Sequence, residues 1–303
     1  MAQPSARAQR TARLRGVLAA GTVALPGAVN ALSARLIERE GFEALYVSGA
    51  VLANSVGGVP DVGLMTLTEL AEHCARIAAA TSLPVVADAD TGFGGPENAA
   101  RTVRLLEAAG ASGVHLEDQE FPKRCGHLAG KTLVPAEVFG EKLAAAAAAR
   151  DDPDFLLIAR TDARGVTGYD DAVRRAHAYL AAGADAVFPE ALEGREEFAR
   201  FAQDVKTVLV ANMTEFGRTP YLTVEEFAQL GYAAVLFPVT LQRIAARAMQ
   251  EALRVLRREG TQRGLLERMQ TRGELYELLG YQAPAGAAVP EPSADEEHGR
   301  PSP

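Results

Sequence analysis

The sequence contains no tryptophan and only two cysteines among its 303 residues. Two cysteines are too few for a disulfide framework, so we expect a reducing, cytoplasmic setting. No apolar run approaches the length that spans a bilayer, and no basic stripe accompanies the net charge of −8. These absences argue against a disulfide scaffold and a membrane protein, and they disfavour nucleic acid as a partner.

The start of the chain is rich in arginine and alanine. It shows no apolar segment followed by a small-residue cleavage site, so we expect no secretory signal. Arg7, Arg10, Arg13 and Arg15, with few acids nearby, weakly resemble a mitochondrial presequence. A basic helix that leads into the domain explains the same pattern, and we favour it.

Short apolar runs alternate with helical patterns along most of the chain, and each run suits a strand buried on both faces. The predicted strands are Thr22–Pro26, Ala44–Ser48, Pro84–Asp88, Gly113–Glu117, Phe155–Arg160, Ala186–Pro189, Val208–Ala211 and Ala233–Phe237. The helices predicted between them are Ala31–Arg39, Leu67–Ala80, Pro96–Ala109, Pro135–Ala149, Asp170–Ala182, Glu193–Ala202 and Val224–Leu230. Four of these helices are followed by a glycine suited to a helix end: Gly41, Gly110, Gly183 and Gly231. Cys74 falls on the apolar side of the second helix, so we place it in the core.

Eight strand–helix alternations within about 250 residues indicate a (β/α)8 TIM barrel. A doubly wound sheet is the alternative, but no Gly-x-Gly-x-x-Gly motif follows a strand. Helical patterns at Thr240–Glu259 and Leu265–Leu279 give one helix more than a plain barrel requires. We expect residues 1–281 to form a single domain. Residues 282–303 are rich in proline, alanine and glutamate, so we expect a disordered tail.

Acidic side chains end two of the central strands. In a barrel, catalytic groups come from the C-terminal ends of the strands. Asp88 and Asp90 are two residues apart, so on a strand both would point the same way. Two close carboxylates repel each other unless a cation balances them, and with Glu117 nearby these oxygens suit Mg²⁺ or Mn²⁺. The alternative is that the two aspartates cap the turn at Thr91 and Gly92 or pair with arginines.

Other strand ends carry groups that bind anions. Arg160 can hold a carboxylate with two hydrogen bonds, or it can neutralise Glu117 or Glu190. Asn212 and Thr214 share one side of their strand end and can donate to carboxylate oxygens. Capping of the next helix explains the same two residues.

The stretch Lys123-Arg124-Cys125-Gly126-His127 lies in a segment with the character of a loop. Three groups that can carry positive charge flank one thiol, and positive charge favours a reactive thiolate. A small buried cysteine in a basic loop is the alternative. Together with a hard cation and several anion donors, the thiol indicates carbon–carbon bond chemistry on a dicarboxylate or tricarboxylate.

Three motifs occur in a characteristic order and spacing: Asp88-Ala89-Asp90-Thr91-Gly92-Phe93-Gly94, His115-Leu116-Glu117-Asp118-Gln119 and Lys123-Arg124-Cys125-Gly126-His127. They resemble the isocitrate lyase/phosphoenolpyruvate mutase superfamily. Further segments resemble its methylisocitrate-cleaving branch: Ala159–Ala163, Phe188–Ala191, Asn212–Gly217 and Met269–Tyr276. The resemblance runs from about Leu25 to Tyr281.

This resemblance implies a fold, an assembly and a reaction. The fold is a (β/α)8 barrel whose eighth helix is swapped with a neighbouring subunit, usually in a tetramer. The reaction is Mg²⁺-dependent cleavage of 2-methylisocitrate to pyruvate and succinate, within the methylcitrate cycle of propionate breakdown. Isocitrate lyase, 2,3-dimethylmalate lyase and oxaloacetate decarboxylase activities are alternatives within the superfamily. A barrel that only binds carboxylate metabolites is the non-enzyme alternative.

The resemblance also implies roles for matched positions. It assigns the metal to Asp88 and Asp90, with Glu117 in the outer shell through water. Ser48, Gly49 and Ala50 match a cradle for the pyruvate-forming end, although the family pattern more often has glycine in place of Ala50. Cys125, Gly126 and His127 match a mobile loop over the substrate, with Cys125 as general acid. The remaining matched substrate contacts are Arg160, Glu190, Asn212, Thr214, Arg243 and Arg272. Two residues are candidates for the base, Tyr46 and Lys123.

Overall fold

The computed structural model describes residues 6–126, 128 and 130–282. Within these residues, eight parallel strands appear: β1 Val23–Pro26, β2 Leu45–Val47, β3 Val85–Asp88, β4 Gly113–Glu117, β5 Leu156–Thr161, β6 Ala186–Pro189, β7 Val208–Asn212 and β8 Ala234–Phe237. Their hydrogen-bonded order is β1-β8-β7-β6-β5-β4-β3-β2. A parallel bridge between Gly27 and Tyr46 brings the two ends of this order together, and the Ala28 amide donates to the Tyr46 carbonyl at 2.8 Å. The predicted barrel is therefore confirmed.

Helices follow the strands as predicted, and most begin and end within one or two residues of the expected positions. The α-helices of the described residues are α1 Ala6–Ala20, α2 Ala31–Arg39, α3 Gly49–Val51, α4 Leu67–Ala79, α5 Pro96–Ala108, α6 Ala136–Ala148, α7 Tyr169–Ala181, α8 Arg195–Asp204, α9 Val224–Leu230, α10 Thr240–Glu259 and α11 Arg272–Leu278. The short helix α3 was not predicted. The four predicted stop glycines all adopt positive φ. None of the helices in the described ranges is long and apolar enough to cross a bilayer.

One predicted helix is wrong. The stretch Leu265–Leu279 is divided between a 3-10 helix that begins two residues earlier, Arg263–Arg268, and the separate helix α11. The break has a local cause at Thr271. Its hydroxyl accepts from the Glu274 amide at 3.2 Å, and the Glu274 carboxylate accepts from the Thr271 amide at 2.6 Å. This capping box starts a new helix instead of continuing an old one.

The chain divides into two compact units, the first ending at Gln242 and the second beginning at Arg243. The predicted single domain and the swapped eighth helix stay predictions. The predicted tail lies outside the described residues, apart from Gln282.

Helix α1 closes the N-terminal end of the barrel. Leu14 and Leu18 are buried with apolar side chains of the barrel interior, such as Leu25 and Ile158. Two arginines of α1 donate to backbone carbonyls, one in the last turn of α4 and one just before β5. Arg10 donates to the Ala78 carbonyl at 2.8 Å, and a second arginine of the helix donates to the carbonyl that precedes β5 by two residues, at 2.9 Å. The predicted basic helix is therefore confirmed, and it forms the floor of the barrel.

The main apolar layer lies between the strands and the surrounding helices. Cys74 on α4 is fully buried in this layer, as predicted. Burial raises the pKa of its thiol to about 12, against the charge of Arg10. Cys74 is thus an inert core side chain.

Candidate functional site

Five buried or half-buried polar side chains meet at the C-terminal ends of the strands: Asp88, Glu117, Arg160, Glu190 and Asn212. Strand register causes the meeting, because Glu117 on β4 is aligned with Arg160 on β5. Parallel strands of a barrel end at the same rim, so a polar residue at each end joins one cluster. These residues therefore form a single site, as expected from the sequence.

Arg160 is the central cation of this site. It lies 3.4 Å from the carboxylate of Glu117 and 3.3 Å from that of Glu190, and it donates to Asp162 at 3.0 and 3.1 Å. Burial opposes its charge, but these three carboxylates outweigh burial and raise its pKa well above the ordinary value. Arg160 is therefore a permanent cation and a ready partner for a substrate carboxylate.

Glu117 is less well satisfied than its neighbours. Among the described residues, neither of its buried carboxylate oxygens has a hydrogen-bond partner. Burial raises its pKa well above the ordinary value, although Arg160 and Lys123 oppose that shift. A buried carboxyl group without partners is costly, so this position suits a further ligand, such as a cation or its water.

Asp88 and Asp90 come together, but not through a shared strand face. That premise was wrong, because β3 ends at Asp88 and Asp90 adopts a φ of +44° in the following turn. The Asp90 amide donates to Asp88 Oδ1 at 3.1 Å, so Asp88 does cap a turn, as the alternative had it. The Gly49 amide donates to Asp88 Oδ2 at 3.1 Å. A Cβ at Gly49 would lie 3.1 Å from Asp88 Oδ2 and 3.3 Å from Asp90 Oδ1, so glycine gives both carboxylates room.

Lys123 supplies the cation beside these aspartates. Its ammonium lies 2.8 Å from Asp90 Oδ1 and also contacts Asp61. Burial opposes the charge of Lys123, but Asp90, Glu117, Asp88 and Asp61 outweigh it and raise its pKa well above the ordinary value. Burial raises the pKa of Asp90. For Asp88 burial acts in the same direction, but His115, Lys123 and Arg160 lower its pKa. One carboxylate of the pair thus ionises much more readily than the other.

Asp61 is a site residue that the sequence analysis missed. It lies in the connection between α3 and α4, 62 positions away from Lys123. A lone acid in a loop gives no sequence signal for such a distant pairing. Only its place on a loop that follows a barrel strand could have drawn attention to it.

The cradle residues directly follow β2. Ser48 is buried and lies at the N-terminus of α3, and Ala50 is half-buried. Together with the amide of Gly49, they line the side of the site that carries Asp88. Their predicted contact with the pyruvate-forming end stays a prediction.

Tyr46 and His115 form a buried pair below the aspartates. The tyrosine hydroxyl is hydrogen-bonded to His115 Nε2 at 2.6 Å, and Nε2 lies 3.5 Å from Asp88 Oδ1. Burial, and then the charge of Asp88, raises the pKa of Tyr46 well above its ordinary value. Burial lowers the pKa of His115 to about 4, so its imidazole is neutral at physiological pH. Both candidate bases, Tyr46 and Lys123, therefore carry their protons near neutral pH.

The loop that contains Cys125 lies against the strand-end cluster. Gln119 fixes the backbone of Arg124 through two hydrogen bonds of 2.9 Å. The Arg124 amide donates to Gln119 Oε1, and Gln119 Nε2 donates to the Arg124 carbonyl. A Cβ at Gly126 would lie 2.6 Å from Glu190 Cγ and still closer to a guanidinium nitrogen of Arg160. Only glycine fits this approach, which brings the half-buried Cys125 to the edge of the cluster. The fifth residue of the motif, His127, lies outside the described residues.

Three further predicted substrate contacts are described only by their exposure and their place in the chain. Thr214 is half-buried and lies two residues beyond the end of β7. Arg243 and Arg272 are exposed residues of the second unit. Their roles in substrate binding stay predictions.

The arrangement suits a carboxylate substrate with a hard cation. No three His, Cys, Asp or Glu side chains within the described ranges form a ready-made metal cage. Asp88, Asp90 and the unsatisfied Glu117 nevertheless offer hard oxygen ligands on one side of the site. Mg²⁺ commonly takes only one or two protein carboxylates and completes its shell with water and substrate, so these residues fit it.

Known proteins with similar sequences and structures agree with this description of the barrel and of the acids, arginine and thiol at its rim. A family profile described as phosphoenolpyruvate phosphomutase matches residues 14–257, and the chain belongs to the phosphoenolpyruvate mutase/isocitrate lyase family. Among its curated relatives, the 2-methylisocitrate lyase of Aeropyrum pernix is 51% identical over 259 residues, covering 86% of this chain and 83% of the relative. That relative is a carbon–carbon lyase.

Solved structures of the family are similarly close. A crystal structure of 2,3-dimethylmalate lyase matches with a TM-score of 0.85 and 37% identity, covering 92% of this chain and 93% of that one. A crystal structure of phosphonopyruvate hydrolase in complex with oxalate and Mg²⁺ matches with a TM-score of 0.80 and 34% identity, covering 89% and 95%. A small carboxylate and a divalent cation are thus bound together in one of these relatives.

Proposed function

We propose that the protein cleaves 2-methylisocitrate to pyruvate and succinate, in the methylcitrate cycle of propionate breakdown in the cytoplasm. One observation carries the proposal. Gly126 packs against Arg160 and Glu190, so the neighbouring thiol of Cys125 lies beside a carboxylate-binding cluster. The 51% identity to a 2-methylisocitrate lyase supports this choice of substrate within the family.

Binding rests on Arg160 and Asn212. Arg160 presents a charged fork, and a substrate carboxylate can take the place of one of its present acidic partners. Asn212 donates to Glu190 Oε2 at 3.2 Å and can turn the same amide group to the substrate. His127, Thr214, Arg243 and Arg272 add donors in the proposal, by their match to the family pattern.

Asp88 and Asp90 would hold Mg²⁺, or Mn²⁺ in its place, with Glu117 as a partner through water. When bound, the cation acts as a Lewis acid toward the hydroxy-acid end of the substrate. The side chains then have two tasks, which are to keep the substrate in place and to move two protons.

The proposed reaction begins when a base removes the proton of the C2 hydroxyl group. The C2–C3 bond then breaks, C2 becomes the carbonyl carbon of pyruvate, and the bonding electron pair stays with C3. The succinate fragment therefore carries extra negative charge, which Arg160 and Asn212 stabilise as fixed donors. Cys125 donates its thiol proton to C3 as general acid and completes succinate.

The base is Tyr46 or Lys123. The hydroxyl of Tyr46 contacts the neutral imidazole of His115, whereas the ammonium of Lys123 is held by Asp61 and Asp90. The pKa values of both groups are raised, so the one that acts must lose its own proton before it can accept that of the C2 hydroxyl group. A pair of variants, given below, separates them.

The decisive experiment is a Mg²⁺-dependent assay of 2-oxo acid release across four substrates: 2-methylisocitrate, isocitrate, 2,3-dimethylmalate and oxaloacetate. The product detected is pyruvate, except with isocitrate, whose cleavage would give glyoxylate because its C2 carries no methyl group. We expect the highest kcat/KM with 2-methylisocitrate. The structural similarity to a dimethylmalate lyase makes 2,3-dimethylmalate the second candidate, and the methyl group of Ala50 would act on the choice between the two. No turnover of any of the four substrates would leave a carboxylate-binding barrel as the better description.

The proposed partner of the protein is a second copy of itself, in a dimer-based tetramer. The support is α10, a 20-residue helix with no buried residue in the single chain. Its apolar side chains at Ile244, Met249, Leu253 and Leu256 are exposed. A neighbouring subunit would cover them in a helix swap. Sedimentation velocity should give a dimer or tetramer that persists after deletion beyond Tyr281, and an active monomer would contradict the swap.

A further inference from the structure

Lys131 is a buried lysine just beyond the Cys125 loop. The residue is 8% exposed, and its ammonium donates to the Gly126 carbonyl on one side. On the other side it lies 2.7 Å from Asp162 Oδ1. A buried ammonium needs such partners, because an unpaired charge away from water is very costly. Lys131 thus ties the loop to the end of β5.

Asp162 is a firm anchor for this tie. Its amide donates to Asp118 Oδ1 at 2.9 Å, and Asp118 is itself buried and accepts from the Tyr179 hydroxyl at 2.7 Å. Burial would raise the pKa of Asp162, but the charges of Arg160 and Lys131 outweigh it and lower the pKa. The ionised carboxylate therefore holds two cations at once, the arginine of the site and the lysine of the loop.

Two contacts bracket Cys125 in the chain. Gln119 fixes the backbone of Arg124, the residue before the thiol, and Lys131 fixes the carbonyl of Gly126, the residue after it. Gly126 in turn packs against Arg160 and Glu190. The position of the thiol relative to the cluster thus depends on both sides of this bracket.

We propose that Lys131 is a positioning residue: held by Asp162, it fixes the Gly126 carbonyl and so seats the Cys125 loop against Arg160. The proposal deepens the proposed function and rests on it. Arg160 and Lys131 share the carboxylate of Asp162, so the arginine that binds the substrate and the loop that delivers the proton are seated on one anchor.

The test uses the full-length protein with Lys131→Met, which keeps the length of the side chain and removes its charge. Hydrogen bonds of a charged donor are typically worth about tenfold or more in an equilibrium. We therefore expect alkylation of Cys125 by iodoacetamide to be at least about tenfold faster, because the loop lifts more often. Peptide mass mapping separates the two cysteines, and Cys74, fully buried in the core, is the internal control whose rate should not change.

Kinetics give the second measurement. We expect kcat to fall by about tenfold or more while KM changes by less than about threefold, because Arg160 and Asn212 still bind the substrate. The matched control is Lys206→Met, since the ammonium of Lys206 also donates to a backbone carbonyl, that of Ala202 at 2.8 Å, but in an exposed position that precedes β7. Its alkylation rate and kcat should equal those of the parent protein.

Three outcomes would overturn the proposal. They are an unchanged alkylation rate of Cys125, a fall in kcat/KM that comes entirely from KM, and a Lys131→Met protein whose circular dichroism shows global unfolding. The last outcome would make Lys131 part of the fold and not of the loop. Failure of the proposed function looks different, because the parent protein would then release no pyruvate while the alkylation difference persisted.

Discussion

Replacement of Arg160 by methionine would test the electrostatic design of the site. The change removes the cation that faces Glu117, Asp162 and Glu190 at distances of 3.0 to 3.4 Å and leaves a shorter, uncharged side chain. Loss of one partner of a buried ion pair typically destabilises a protein by about 3–5 kcal/mol. Three carboxylates lose a partner here, so the loss in the free energy of unfolding could be that of one broken ion pair or of three.

The contacts of the three carboxylates argue that it is not. Asp162 keeps Lys131 at 2.7 Å, and Glu190 keeps the amide of Ala191 at 2.9 Å and that of Asn212. Within the described part of the chain, Glu117 has no hydrogen-bond partner of this kind, and it can become neutral by binding a proton. We therefore expect a loss of about 3–5 kcal/mol in the free energy of unfolding near neutral pH, which corresponds to one broken pair.

The pH dependence provides a signature with a definite sign. Without Arg160, the pKa of Glu117 in the folded protein lies further above its unfolded value. The folded state then binds more protons than the unfolded state between these two values. The stability deficit of the variant should therefore shrink as the pH falls through the raised pKa of Glu117 toward its unfolded value, because the carboxyl group becomes protonated in the folded state.

Urea unfolding at fixed protein concentration measures this deficit, since an oligomer would otherwise shift the midpoint. The control is Arg200→Met, which removes a 60% exposed arginine that pairs with Asp170 and Asp204, and it should cost less than about 1 kcal/mol. An Arg160→Met protein as stable as this control at neutral pH would refute the reasoning. So would a deficit that does not change with pH.

Four further predictions concern catalysis and the barrel floor. Cys125→Ser should lower kcat by about 10²–10⁴-fold with little change in substrate affinity, because serine holds its proton too tightly to act as the acid, and a kcat within a few-fold of the parent would remove the assigned role. Chelation should abolish pyruvate release and Mg²⁺ should restore it, while Asp90→Ala should stay folded by circular dichroism and lose metal binding in a calorimetric titration. If Tyr46 is the base, Tyr46→Phe should lower kcat by about 10²-fold or more. Lys123→Met should then mainly weaken the binding of substrate or metal, and the reverse pattern would assign the base to Lys123. Leu14→Ala should lower the free energy of unfolding by about 2–5 kcal/mol and leave kcat unchanged, because Leu14 is fully buried in the floor and remote from the rim. A lower kcat at full stability would contradict this separation of floor and rim.

The strands and their polar ends could be predicted because both leave a local signal. A short apolar run that stops at a charged residue, as at Asp88 or Glu117, shows where a strand is buried and where the rim begins. The break before α11 also had a local signal, Thr271 followed three residues later by Glu274, which the helical periodicity of the stretch masked. Such features depend on neighbours in the chain.

The contacts that seat the loop could not be predicted in this way. Lys123 meets Asp61 over 62 positions, and Lys131 meets Asp162 over 31. Lysine and aspartate are usually exposed, and nothing in the neighbouring sequence distinguishes a lysine or aspartate with a buried partner from a solvated one. The left-handed backbone of Asp90 is likewise set by the turn that follows β3, not by the identity of the residue. These features follow from tertiary structure alone.

The floor formed by α1 has a consequence for how the substrate enters the site and how the products leave it. Because Leu14 and Leu18 close the N-terminal end of the barrel, the substrate and both products of the proposed reaction would pass the opposite rim, where Cys125 lies. In the proposed reaction, a product that leaves first would pass the loop that covers the second product. Departure is therefore sequential, and the first product can return as long as the second is still bound. At high product concentration, turnover would then depend on the rate at which each product dissociates. Steady-state inhibition by each product tests this.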